Sequence, residues 1–190
     1  MAPLVPSTSP DKEFGGSRLT RIVVTGSEST GKTELAQQLA AHYRVCWVAE
    51  FAREYAEQHP RALTSADVDP IGSGQIARED ATLRNARGLV ILDTDLLSTF
   101  VYGTQYYGSV PGWIAKTVEE RLADLYLVCD IDVPWVADAV RDAQRQRRQM
   151  HAAFIHHLQQ FGASYRIVRG SGSERLACAI AHISAWRESS

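Results

Sequence analysis

Arg21-Ile22-Val23-Val24-Thr25-Gly26-Ser27-Glu28-Ser29-Thr30-Gly31-Lys32-Thr33-Glu34-Leu35-Ala36 is the stretch whose reading decides the fold. Ile22–Thr25 is a short β-branched run and predicts a strand. Gly26–Thr33 fits G-x-x-x-x-G-K-[ST], and Glu34 to Ala40 continues as a helix. Strand, glycine-bearing loop and helix in this order predict a P-loop. The glycines let the backbone curl so that successive N–H groups face phosphate oxygens, and the helix N-terminus adds its positive dipole end. Gly26, Ser29, Thr30, Gly31, Lys32 and Thr33 are the expected phosphate-binding residues. Lys32 is expected to reach the β- and γ-phosphates, and the Thr33 hydroxyl to ligate magnesium. A chance Gly/Ser turn is the other reading, and the flanking strand and helix argue against it.

Outward from this unit the chain alternates. Val45–Ala49, Leu89–Leu92, Leu125–Cys129 and Tyr165–Val168 are short and nearly all apolar, as strands buried on both faces are. Helical patterns separate them: Lys32–Tyr43, Glu50–Gln58, Gly74–Ala86, Trp113–Leu122, Trp135–Arg141, Met150–Phe161 and Ser173–Trp186. The expectation is an α/β P-loop NTPase with a doubly wound, five-stranded parallel sheet. Ligands in such folds sit beyond the carboxyl ends of the strands, so polar residues that follow strands are site candidates. Residues 1–18, rich in Pro, Gly and Ser, are expected to be a disordered arm ahead of one domain, 19–190.

Composition narrows the class. The 190 residues are 45% hydrophobic, enough to fill a core. Twenty basic residues against 22 acidic ones give a net charge of −2, which argues against a general nucleic-acid binder. No apolar run is long enough to span a bilayer, and no secretory signal opens the chain. A cytoplasmic protein without nucleic-acid or membrane partners is expected, with a homodimer left open. Cys46, Cys129 and Cys178 have wide spacings and apolar neighbours, and read as buried reduced thiols.

Strand ends supply the acids. Leu89-Val90-Ile91-Leu92 runs into Asp93 and Asp95. Asp93 is the candidate for the magnesium shell. Asp95 points the same way if the chain stays extended, toward substrate hydroxyls; either acid instead caps the next helix. Glu50 ends the second strand. It either takes a proton from an attacking hydroxyl, binds a sugar hydroxyl, or sits as an acid in the first turn of a helix. Arg53 follows it, as acceptor contact or surface charge.

Four arginines, Arg141, Arg145, Arg147 and Arg148, fall within eight residues. Their place after the fourth strand suits a lid that closes on phosphates; a solvated helix face is the other reading. Phe100, Tyr102, Tyr106, Tyr107 and Trp113, interleaved with Gly103, Gly108, Pro111 and Gly112, read as an irregular loop. Tyr102 and Trp113 would stack on a flat or cationic ring, or pack the core.

Taken together these stretches resemble a known family, the ribosylnicotinamide kinase domain of the bacterial NadR proteins and its free-standing relatives. The resemblance rests on Gly26–Thr33, Trp47-Val48-Ala49-Glu50-Phe51-Ala52-Arg53-Glu54-Tyr55, Gly74-Gln75-Ile76-Ala77-Arg78-Glu79, Leu92-Asp93-Thr94-Asp95-Leu96-Leu97-Ser98-Thr99 and Asp132-Val133-Pro134-Trp135-Val136-Ala137-Asp138 with Arg141. It covers about residues 20–187 in order. It implies an ATP- and Mg2+-dependent kinase that phosphorylates the 5′ hydroxyl of nicotinamide riboside. It also implies Arg141 and Arg147 as lid arginines and Glu50, Arg53 and Asp95 at the acceptor. Two departures stand out. The 18 leading residues do not supply the adenylyltransferase domain that NadR places ahead of its kinase. Arg141-Asp142 is followed by Ala143-Gln144 where the family pattern has a proline. A kinase for another nucleoside or small alcohol, and a regulatory P-loop ATPase with a protein partner, are the competing expectations.

Overall fold

The computed structural model describes residues 18–132 and 141–189, with the backbone alone at 141–144. The residues 1–17 of the expected arm and the predicted helix Trp135–Arg141, except the backbone of its last residue, lie outside this set. In chain order the elements are β1 (Thr20–Thr25), α1 (Lys32–Tyr43), β2 (Trp47–Val48), α2 (Phe51–Gln58), a 3₁₀ turn (Ser65–Asp67), α3 (Val68–Leu83), β3 (Leu89–Asp93), α4 (Leu96–Tyr107), α5 (Gly112–Glu120), β4 (Leu125–Cys129), α6 (Arg141–Gln160), β5 (Tyr165–Val168) and α7 (Gly172–Glu188).

The strands form one five-stranded sheet in the order β2-β3-β1-β4-β5, and every pairing is parallel. Parallel neighbours need crossovers, and each crossover here contains at least one helix. Side chains alternate across the strands, so the sheet has two apolar faces. Ile22, Val24, Leu89, Ile91, Leu125 and Leu127 pack with Leu35 and Leu39 of α1 and Ile183 of α7. Val23, Val90, Leu92 and Val128 pack the other way, with Leu97 and Val101 of α4, Ile114 of α5 and Phe154 of α6. Burial on both faces explains why the strands read as unbroken apolar runs. No helix among the described residues is long and apolar enough to cross a membrane.

β1 occupies the middle of the sheet, and its carboxyl end delivers the P-loop between β3 and β4. The chain leaves β1 for β2 on one side and later crosses from β3 to β4 on the other, so this is the switch point where α/β sheets open a crevice.

Several elements depart from the sequence expectation. α3 begins at Val68, six residues before the expected Gly74. Pro70 falls in its first turn, where a helix has no use for the missing N–H. Thr64 and Asp67 form a capping box just ahead of it. The expected irregular loop after Asp95 is instead α4, running to Tyr107 and closing on Gly108 in the left-handed conformation. Leu96, Leu97 and Val101 supply its buried stripe. β2 shrinks to two residues because only Trp47 and Val48 pair with β3. Cys46, just before this edge strand, is exposed, whereas Cys129 is buried; all three cysteines are free.

Candidate active site

The phosphate end of the crevice is built from backbone. Gly26 has φ 129°, and a Cβ there would lie 3.0 Å from the Cys129 carbonyl oxygen. Gly31 has φ 77° and caps α1 without any side-chain bond, which leaves the first-turn N–H groups of α1 to a ligand. Ser29 also takes positive φ, at 54°. The loop is tied internally: Thr30 Oγ1 and Lys32 Nζ each donate to the Ser27 carbonyl at 2.8 Å. These bonds keep Lys32 over the loop.

The loop is also braced from outside. Arg147 of α6 is buried and donates to the Ser29 carbonyl at 3.2 Å. Arg147 thus stands where a phosphate-side arginine is expected; the Arg141 side chain lies outside the described residues. Arg175 of α7 is 4% exposed and reaches the Thr30 carbonyl, the Gly170 carbonyl at 2.7 Å and the Asp132 carboxylate. Arg175 was missed in the sequence. A signal exists: a cation in the first turn of a helix opposes the helix dipole, so it must have a partner elsewhere.

Asp93 ends β3 beside the loop and is 1% exposed. Its carboxylate hydrogen-bonds the Thr33 hydroxyl, which in turn accepts from Arg53 at 3.3 Å. The other requirement of a buried carboxylate is unmet: Asp93 Oδ1 has no hydrogen-bond partner among the described residues. Burial raises its pKa, against the opposing pull of Thr33, Lys32 and Arg53. A hydroxyl and an orphaned buried carboxylate oxygen form a hard-oxygen donor pair that fits Mg2+. Among the described residues no cluster of three or more His, Cys, Asp or Glu could hold a metal. Mg2+ needs none, because it keeps waters and takes phosphate oxygens as its remaining ligands.

Asp95 does the opposite of what an extended chain predicts. Thr94 takes φ 65°, which turns the chain, and Asp95 becomes the N-cap of α4. Its carboxylate accepts from Leu97 N at 3.1 Å and from the Tyr126 hydroxyl at 2.7 Å. It is 7% exposed and absent from the cavity wall. Asp95 therefore caps a helix and packs in the core.

A cavity of about 650 Å³ opens from the P-loop. Its wall carries Ser29, Lys32, Glu50 and Arg53 together with Tyr102, Tyr106 and Tyr107 of α4 and Val68 and Ile71 of α3. Glu50 is the N-cap of α2 and makes no cap bond with its side chain. Its carboxylate lies 3.8 Å from Arg53. Burial raises its pKa; the charge of Lys32 opposes this and that of Asp93 adds to it. Tyr102 and Tyr106 stack at 6.0 Å with 15° between the rings. Tyr102 donates to the Gly26 carbonyl at 3.2 Å, and Tyr106 donates to the Glu28 carboxylate, both residues of that pair lining the cavity. Trp113 is not brought here. Its ring packs against the α3–α4–α5 core near Gly72, and its indole N–H donates to Asp69 at 2.6 Å. Asp67 and Gln75 line the cavity and were not singled out in the sequence as site residues. A second hollow, of about 190 Å³, lies on the other flank of the loop between Thr30, Glu34, Gln38, Ser171 and Arg175.

Comparison with known proteins agrees with this geometry. The family described as AAA domain matches residues 21–175, and the chain belongs to it. The trifunctional NAD biosynthesis/regulator proteins NadR of Salmonella typhimurium and Escherichia coli are each 28% identical over 124 residues. That stretch is 63% of this chain and 30% of theirs, so the match spans under a third of these relatives. The crystal structure of NadR in complex with NR superposes with TM-score 0.73 at 26% identity, over 88% of this chain and 50% of that one. NadR in complex with NAD and AMP-PNP gives 0.72 at 26% identity, over 89% and 49%. The thymidylate kinase of Ehrlichia chaffeensis, 13% identical, shares the fold with TM-score 0.64 over 88% of this chain and 98% of its own. The NadR resemblance read from the motifs and the P-loop fold class are both borne out.

Proposed function

We propose that this member of the AAA-domain family is an ATP- and Mg2+-dependent small-molecule kinase whose acceptor is nicotinamide riboside. The observation that carries the proposal is the single continuous cavity. It joins a phosphate-binding loop to a tyrosine-lined wall, with the part-buried Glu50 carboxylate under the charges of Lys32 and Arg53. About 650 Å³ falls within the usual range of small-molecule pockets. The NadR structure with bound NR supports the choice of acceptor.

The triphosphate takes the backbone N–H groups of residues 26–33, and the smaller hollow beside Ser171 suits its nucleoside. Thr33 and Asp93 would hold Mg2+, which would supply charge neutralisation to the phosphates. Glu50 takes the proton of the acceptor's 5′ hydroxyl as that oxygen bonds to the γ-phosphorus. The bond from phosphorus to the β-phosphate oxygen breaks, and ADP leaves. A carboxylate whose pKa is raised by burial is a better base near neutral pH than an exposed one. Lys32 and Arg147 stabilise the charge on the phosphoryl oxygens. The stacked Tyr102 and Tyr106 of the cavity wall offer faces to a pyridinium ring.

Mass spectrometry of reactions with ATP, Mg2+ and a panel of nucleosides tests this. The expected result is a product one phosphate heavier than nicotinamide riboside, formed much faster than from adenosine, uridine or thymidine. ADP released at a slow rate with no phosphorylated acceptor would overturn it in favour of a regulatory ATPase.

A further inference from the structure

The stretch Gly74-Gln75-Ile76-Ala77-Arg78-Glu79 has no part in the proposed chemistry, yet three of its residues converge on one place, the first turn of α2. Glu50 is the N-cap of that helix. An acidic N-cap ordinarily spends its carboxylate on the N–H groups of its own first turn. Glu50 does not; it makes no side-chain cap bond. The Phe51 N–H instead donates to Gln75 Oε1 of α3 at 2.9 Å. Gln75 is 2% exposed, and its Nε2 donates to Glu79 at 3.0 Å, which fixes the way the amide faces.

Arg78 completes the arrangement. Its Nη1 donates to the Glu50 carbonyl at 3.3 Å, its Nη2 pairs with Glu54, and its guanidinium lies 5.0 Å from the Phe51 ring centre. The helices meet so closely because position 74 has no side chain. A Cβ there would lie 2.2 Å from Phe51 Cε1. Glycine inside a helix is unfavourable by about 1 kcal/mol relative to alanine, so a contact of this kind is its compensation.

We propose that Gln75 and Arg78 are positioning residues for phosphoryl transfer: Gln75 caps α2 from a neighbouring helix, Arg78 holds the Glu50 carbonyl, and together they leave the Glu50 carboxylate free to face the acceptor. This rests on the role given to Glu50 above. Gln75 lines the cavity, but its amide is already committed to Phe51 and Glu79, so it acts through Glu50 rather than on the acceptor.

The test is a double-mutant cycle between Gln75→Leu and Glu50→Gln, with kcat and KM measured for ATP and nicotinamide riboside. Displacing a base by about 1 Å costs roughly 10²-fold. Gln75→Leu is expected to lower kcat by about 10- to 100-fold, with KM for ATP changed less than about threefold. On the Glu50→Gln background the same change should cost less than about threefold more, because the group it positions is gone. Arg78→Lys should retain more kcat than Arg78→Met. Full additivity of Gln75→Leu with Glu50→Gln, or a Gln75→Leu enzyme with unchanged kcat, would overturn the proposal. Amide exchange separates this from failure of the kinase assignment. If wild-type protein transfers no phosphate, the assignment falls, and exchange at residues 51–53 still decides the clamp. Gln75→Leu should speed exchange there about tenfold or more while leaving β3 unchanged, and equal rates in both proteins would overturn it.

Discussion

The two ends of the cleft are held in different ways. At the phosphate end the backbone forms the binding surface, through positive φ at Gly26, Ser29 and Gly31 and the uncapped start of α1. At the acceptor end side chains from α2, α3 and α4 do the work, and each is held by partners far away in sequence. The contrast is sharpest across one turn. Asp93 and Asp95 are two residues apart and both buried. Asp93 keeps an oxygen free of protein partners, and Asp95 gives both of its oxygens to the fold. A backbone-built site shows in the sequence as a motif. A side-chain-built one shows only as residues that suit several roles.

The largest effect should come from Lys32→Ala. Loss of this charge beside the transferred phosphoryl should reduce kcat by on the order of 10³-fold or more, with the melting temperature nearly unchanged. Turnover close to wild type would break the assignment of the phosphate end.

The Asp pair comes next. Asp93→Asn should lower Mg2+-dependent turnover by about 10²-fold without loss of stability, because burial already disfavours the charged form of this carboxylate. Asp95→Asn should leave activity per folded molecule intact and cost about 1–2 kcal/mol of stability through the weakened cap and Tyr126 bond. Denaturant titration with activity measured on the same samples separates the two. Exchanged outcomes would mean that the turn at Thr94 has been misassigned.

The smallest effect concerns pH. Glu79 is 2% exposed, and burial together with the nearby charge of Asp95 pushes its pKa up to about 7. Asp95 is pushed up to about 6 by burial. The folded protein thus holds protons that the unfolded chain releases near pH 4, so stability falls as pH rises through this window. Glu79→Gln should remove part of that slope. Its unfolding free energy relative to wild type should rise from pH 5 to pH 8, by an amount on the order of 1–2 kcal/mol. A difference independent of pH would mean that Glu79 is ionised throughout.

Much of this was legible in the sequence, and the reasons for the rest are physical. Leu125–Cys129 and Tyr165–Val168 stand at their predicted bounds because strands buried in a parallel sheet are apolar throughout. The P-loop was read from its motif spacing and from the strand and helix that flank it. The helix expected from Gly74 in fact starts at Val68, with Pro70 in its first turn and Gly72 at a helix contact near Leu96 and Trp113. Trp113 fits a stacking role by residue type, but packing against Gly72 decides its place. Arg175 is distant from every motif in sequence and reaches the P-loop only through the position of α7 after the last strand. Gln75 carried no mark of its own; its meaning comes from Phe51, which is 24 residues away.

The most direct test of a cleft whose acceptor binds without the phosphate-side lysine is calorimetric titration of nicotinamide riboside into wild-type and Lys32→Ala protein without nucleotide. The account predicts one acceptor site in each, with Kd values within about threefold, while only the wild type goes on to transfer phosphate when ATP and Mg2+ are added. No binding of the riboside to wild-type protein, or binding lost with Lys32, would contradict it.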